Sequence, residues 1–124
     1  MPRLLIVDDE LQITRALDRS LRHDFDVTCF NDPIAALARI EEIEPDVVIS
    51  DFRMPGMNGA EFLAGVNRIA PNCVRVMLSG FADLSSVAAS VHDGELGRFV
   101  PKPWDDDELL AMLKSMLEER RSSL

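Results

Sequence analysis

The chain has 124 residues, 47% of them hydrophobic, and its 22 acidic and 13 basic side chains give a formal net charge of -9. That length suits one domain with one core of two or three layers, and the charge excludes a broad nucleic-acid-binding surface, which needs dense lysine and arginine. No apolar run approaches the roughly 20 residues that span a bilayer, and Met-Pro-Arg-Leu enters the first strand with no room for a leader, so a cytoplasmic protein without a membrane partner is expected.

Arg3 to Val7 reads as the first strand, with Pro2 just before it. Asp8 or Asp9 is placed to cap a helix that carries Leu11, Ala16, Leu17 and Leu21 on one face and ends near His23. Val27 to Phe30 is a short second strand. Asn31-Asp32-Pro33 then starts a helix over Ile34 to about Ile43, since proline suits the first turn, where its missing donor is not needed. Ile34, Leu37, Ala38 and Ile40 form its expected buried face, and Pro45 prevents continuation. Val47 to Ser50 is the third strand, apolar at successive positions as expected when helices cover both faces of a sheet.

Phe52 to Gly59 is rich in turn residues, with Pro55-Gly56 and Asn58-Gly59 suited to backbone shapes denied to most residues. A helix from Ala60 to roughly Ala70 directs Phe62, Leu63, Val66 and Ile69 inward, and Cys73 to Leu78 is the fourth strand. Ala82 to Val91 is a weaker helix whose small side chains bury little area each. Arg98 to Pro101 is the fifth strand. The acids Asp105 to Glu108 and the cations Arg120-Arg121 match opposite ends of a last helix, which buries Leu109, Leu110, Leu113, Met116 and Leu117. Cys29 and Cys73, widely spaced in apolar segments, read as buried free thiols. His23 and His92 lack metal-ligating companions, and Trp104 reads as a packing or partner-facing residue.

Five strand-helix units of this length impose parallel pairing and right-handed crossovers. The fold class is therefore α/β, a doubly wound (βα)5 three-layer sandwich with a flavodoxin-like parallel sheet, strand order 2-1-3-4-5. The domain covers 1–124, with 119–124 as a tail or the start of a linker. That order sets strands one and three side by side, so Asp8, Asp9 and Asp51 meet at the carboxyl edge, where open α/β sheets bind ligands. Adjacent strands lie about 4.8 Å apart, so the carboxylates repel and raise one another's pKa values unless a cation enters. Mg2+ is the simplest resident, a hard ion that bridges carboxylates to phosphates. Lys102 adds positive charge, and Ser79 and loop amides add donors for phosphoryl oxygens. This set suits attack of a carboxylate on phosphorus.

The segments Leu5-Ile-Val-Asp8-Asp9-Glu10, Asp51-Phe-Arg-Met-Pro55-Gly56-Met-Asn-Gly59, Leu78-Ser79-Gly80 and Phe99-Val-Pro-Lys102-Pro103-Trp104 closely resemble the receiver domain of two-component response regulators, and the resemblance spans residues 3 to 121. It implies that Asp51 is the phosphoacceptor, that Asp9 binds Mg2+ (or Mn2+) directly and Asp8 mainly through water, and that Asp51 and the Arg53 backbone carbonyl complete the protein's ligands. It also implies a switch hydroxyl at Ser79, a phosphoryl-contacting Lys102, an aromatic switch at Phe99, a cis Lys102-Pro103 bond, and access-tuning positions at Arg53, Gly80 and Phe81. The implied donor is a phosphohistidine on a sensor histidine kinase or histidine phosphotransfer protein, and the implied role is a signalling acceptor rather than a turnover enzyme. The signal would pass to the surface of the fourth helix, fifth strand and fifth helix, which fits a phosphorylation-dependent homodimer, while a monomer fits the unphosphorylated chain equally. An output domain follows if the chain is a fragment. Gly97 departs from the larger residue common at that position and puts the rigidity of that edge in question.

Two other classes fit parts of this pattern. A flavodoxin-like electron carrier shares the fold, but Asp8-Asp9-Glu10 would repel a flavin phosphate. A receiver-like interaction module independent of phosphorylation needs none of the retained acids, hydroxyl and lysine.

Overall fold

The computed structural model describes residues 1–80 and 97–123, so the helix expected over 82–91, together with Phe81 and His92, lies outside the described residues. Ten elements follow in chain order: β1 (Arg3–Val7), α1 (Leu11–Leu21), β2 (Asp26–Phe30), α2 (Pro33–Ala38), α3 (Ile40–Ile43), β3 (Val47–Asp51), α4 (Gly59–Ile69), β4 (Val74–Ser79), β5 (Arg98–Pro101) and α5 (Asp106–Ser123). The strands form one parallel sheet in the order β2-β1-β3-β4-β5, the expected topology. Among the described residues no helix is long and apolar enough to cross a membrane.

Strand alternation divides the core in two. Leu4 and Ile6, Val47 and Ile49, and Val74, Val76 and Leu78 pack against Leu17, Leu21, Leu109, Leu113 and Leu117 of α1 and α5. Leu5 and Val7, Val48, and Met77 face Ala36, Ile40, Phe62, Leu63 and Val66 of α2, α3 and α4 on the other side. All five residues of β3 are buried, as a central strand covered on both faces requires.

Several local expectations are corrected. Glu10, without a side-chain cap, precedes α1, because Asp8 Oδ1 is already engaged as the acceptor for Glu10 N at 2.9 Å. Leu11 is 49% exposed, and Thr14 joins Leu17 and Leu21 on the buried face. The single helix expected over 34–43 is two, broken at Arg39 (φ -108°, ψ 2°) and ended by Glu44 in the left-handed region. Its inward row is Pro33, Ala36 and Ile40, and Ile34 is 54% exposed beside Gly56. Ile69, in the last turn of α4, is also exposed. Cys29 is exposed on the edge strand β2, while Cys73 is buried as expected. The Cys29 Sγ turns toward the Thr14 carbonyl (3.7 Å), and this cover together with Asp18 pushes its pKa to about 11. Burial pushes Cys73 to about 12, so both thiols stay protonated at neutral pH.

At the amino edge of the sheet, Asp46 ties three segments together. Its carboxylate accepts from Arg3 N (2.8 Å) and pairs with Arg120 of α5 (3.2 Å), while its carbonyl accepts from Val74 N (2.9 Å). At the entrance to β5, Gly97 has φ +72° and backs onto the Arg75 carbonyl so closely that a Cβ would collide with it. The missing side chain is therefore a requirement of this edge, not a loss of packing. Gly97→Ala is expected to lower stability by about 2 kcal/mol or more, read as a fall in denaturant midpoint at unchanged m-value.

Candidate functional site

Strand register builds the site. Val7 pairs with Ser50, Asp51 with Leu78, and Ser79 with Pro101, so Asp8, Asp51, Ser79 and Lys102 end neighbouring strands or follow them by one residue. Alternation assigns Asp8 to the side of Leu4 and Ile6, Asp51 to that of Val47 and Ile49, and Lys102 to that of Val100, all facing α1 and α5. Carboxylate oxygens of Asp8, Asp9 and Asp51 lie within 4.8 Å of one another. Lys102 Nζ is 2.6 Å from Asp51 Oδ1 and 3.9 Å from Asp8 Oδ2. Asp8 and Asp51 are buried and Asp9 is exposed, so the group opens outward through Asp9.

The electrostatics are unbalanced. Burial pushes the Asp8 pKa to about 7 against the hydrogen bond from Glu10 N, and Asp51 and Asp9 raise it further while Lys102 opposes them. Burial pulls Lys102 down, but its bond to Asp51 and the charges of Asp51 and Asp8 win, leaving its pKa above the usual lysine value. Asp8 Oδ2 is buried without a hydrogen-bond donor. One ammonium facing three clustered carboxylates, with a buried oxygen left over, is a donor set that fits a hard divalent cation.

The supporting backbone is fixed by short contacts. Ser50 Oγ donates to the Asp51 carbonyl (2.9 Å), Phe52 N to the Leu78 carbonyl (3.2 Å), and Lys102 N to the Ser79 carbonyl (2.8 Å). Gly59 N donates to the Phe52 carbonyl at 2.7 Å, and a Cβ on Gly59 would overlap the Asp51 carbonyl. Gly59 is thus needed for close approach, while the positive φ of this loop belongs to Gly56 (+83°). Asn58 and Glu61 close a reciprocal capping box that starts α4 at this point. The Asn58-x-x-Glu61 spacing carried that signal in the sequence.

The remaining candidates are distributed around this centre. Ser79 is buried and its hydroxyl donates to the Gly80 carbonyl (3.2 Å). A Cβ on Gly80 would meet nothing within 4 Å among the described residues. Arg53 is exposed and shares a shallow depression with Asp9, Phe52, Met54, Pro55 and Asn58. Phe99 is half-buried against the cluster of Leu5, Val48 and Met77, across the sheet from the acids. The Lys102-Pro103 peptide is cis. Trp104 packs against the α1/α5 side, and its Nε1 donates to Asp106 (2.9 Å).

Comparison with known proteins bears on the family and the fold. The profile of the response regulator receiver domain matches residues 4–114. The hydrogenase transcriptional regulatory protein HoxA of Bradyrhizobium diazoefficiens is 31% identical over 93% of this chain, which covers 24% of that protein. The DNA-binding transcriptional regulator NtrC of Salmonella typhimurium is 31% identical over 88% of the chain and 23% of its own length. The chain thus spans about a quarter of the length of these relatives. Among solved structures, the signal receiver domain of an HD domain-containing protein from Pseudomonas fluorescens superposes with a TM-score of 0.89 at 34% identity, covering 98% of each chain.

The buried acid gives a pH test. With a folded pKa of about 7 and an ordinary value of 3.8, Asp8 takes up a proton on folding between those values, so its contribution falls as pH rises from 3.8 to 7. Without divalent ions at pH 8, Asp8→Asn is expected to be more stable than the native chain by on the order of 4 kcal/mol. In chemical denaturation that difference should shrink through pH 7 and vanish below 3.8.

Proposed function

The chain belongs to the response regulator receiver domain family, a family of signalling domains, and from that premise we propose that it accepts a phosphoryl group on Asp51 from a phosphohistidine donor in a step that requires Mg2+ or Mn2+. The observation that carries this reading is the carboxylate cluster, within 4.8 Å, joined to Lys102 at 2.6 Å and holding on Asp8 a buried oxygen with no hydrogen-bond donor.

In the proposed step an Asp51 carboxylate oxygen forms a bond to phosphorus as the phosphorus–nitrogen bond of the phosphohistidine breaks, and the imidazole leaves with its electron pair. Lys102, 2.6 Å from Asp51 Oδ1, holds that carboxylate in place beforehand, then turns its charge to the arriving phosphoryl oxygens. Asp8, Asp9, Asp51 and the Arg53 carbonyl would hold the cation, which would supply neutralisation of charge on the transferred group. The buried position of Asp51 limits water around the nucleophile, and Gly80, where a Cβ would meet nothing within 4 Å among the described residues, leaves room for the phosphoryl group. Water attack on the acyl phosphate resets the domain, at a rate tuned by Arg53, Gly80 and Phe81.

For signalling, the Ser79 hydroxyl exchanges the Gly80 carbonyl for a phosphoryl oxygen. Phe99 repacks in response and alters the surface of residues 82–91, β5 and α5. That surface serves a phosphorylation-dependent homodimer or an output domain, as the transcriptional regulators among the relatives suggest. This acidic domain itself does not contact nucleic acid.

Incubation with acetyl phosphate and Mg2+ is expected to add one phosphoryl mass, labile to hydroxylamine, to the native chain. Asp51→Asn should abolish the adduct and chelation of divalent ions should prevent it. Undiminished hydroxylamine-labile labelling of Asp51→Asn sinks the assignment, whereas no labelling of the native chain under any donor favours the phosphorylation-independent interaction module.

A further inference from the structure

Asn31 was legible in the sequence only as part of a helix start, yet the cap of α2 is Asp32, whose Oδ1 accepts from Ile34 N at 3.0 Å. The Asn31 side chain goes elsewhere. Its Nδ2 donates to the Asp8 carbonyl at 2.8 Å and to Thr14 Oγ1 at 3.2 Å. The Asp8 carbonyl belongs to the peptide plane that joins Asp8 to Asp9. A rotation of that plane would redirect the exposed carboxylate relative to the buried one. Asp8 N donates to the Phe30 carbonyl at 3.2 Å, so the backbone on both sides of Asp8 is fastened to consecutive residues, the last of β2 and the first after it.

Thr14 fixes which way round the amide sits. Its buried hydroxyl donates to the Leu11 carbonyl at 3.0 Å and so turns a lone pair toward Asn31, a place that accepts an NH2 group and disfavours a carbonyl oxygen. An aspartate at 31 would put acceptors against both the Asp8 carbonyl and the Thr14 oxygen and add charge beside an already acidic cluster. A neutral donor is what these neighbours require.

We propose that Asn31 and Thr14 form a relay that positions the Asp8–Asp9 peptide plane for divalent-ion binding, with Asn31 as the positioning residue and Thr14 setting its orientation. The inference rests on the proposed function, since it concerns the same ion site. Outer partners that orient a ligand change metal affinity by about 10–100-fold when removed. Here the ordered plane is what lets Asp9 and Asp8 act on one ion.

The test is Mn2+ binding to the full chain, followed by the electron paramagnetic resonance signal of the free ion, with thermal unfolding of the metal-free proteins alongside. Asn31→Ala, at an exposed position, is expected to weaken Mn2+ binding about 10-fold or more while the metal-free unfolding temperature stays near that of the native chain. Thr14→Val should weaken it comparably, and Thr14→Ser, which keeps the hydroxyl, should restore it. Native-like Mn2+ affinity in Asn31→Ala, in a protein whose Asp51→Asn form loses the ion, overturns the relay and leaves the site assignment standing. A native chain that binds no Mn2+ overturns the site assignment and the relay together.

Discussion

Carboxylates brought within 4.8 Å of one another at the carboxyl edge of a parallel sheet repel, and they stay together here because the sheet leaves them no alternative. The β1–β3 register places Asp8 and Asp51 side by side, and shifting it by one residue would turn either Leu4 and Ile6 or Val47 and Ile49 away from the helices that cover them. Burial of those side chains is worth about 1.5–3 kcal/mol each. The core thus holds the site in an unfavourable electrostatic state. Lys102 relieves part of it, and the Asp8 oxygen left without a hydrogen-bond donor marks what remains.

Around this constraint the loops have a common task. Gly59 lets the connection after β3 close against the Asp51 carbonyl, Ser50 secures the same carbonyl from the other side, and the backbone of Lys102 hangs from Ser79. None of these contacts involves a formal charge. Each removes freedom from the backbone that carries a charge, which is how a site keeps its geometry while its ionisation changes.

Much of this was legible in the sequence because apolar periodicity, breakers and helix-end charges agreed with one another. Order and element type follow from those local signals, and the acids declared themselves by standing at the ends of apolar runs. What failed was set by tertiary contact. The exposed Ile34 and Leu11 and the buried Thr14 reflect which row of a helix meets the sheet, and composition does not fix that rotation. Gly97 looked like a defect because the carbonyl it faces belongs to Arg75, more than twenty residues away. Asn31 looked like a helix signal for the same reason, its partners being Asp8 and Thr14.

Strand β3 is bounded by two aspartates with opposite thermodynamic characters. Asp46 precedes it and is satisfied, by Arg3, Arg120 and the backbone around it, so that it works as mortar between the first strand and the last helix. Asp51 closes it among other acids, paired with Lys102 at 2.6 Å, and is the phosphoacceptor we propose. The same side chain, counted twice in a net charge, is cohesive at one pole of the molecule and, on the function proposed, reactive at the other. This chain therefore separates its mechanical seam from its chemical one by the length of a single strand.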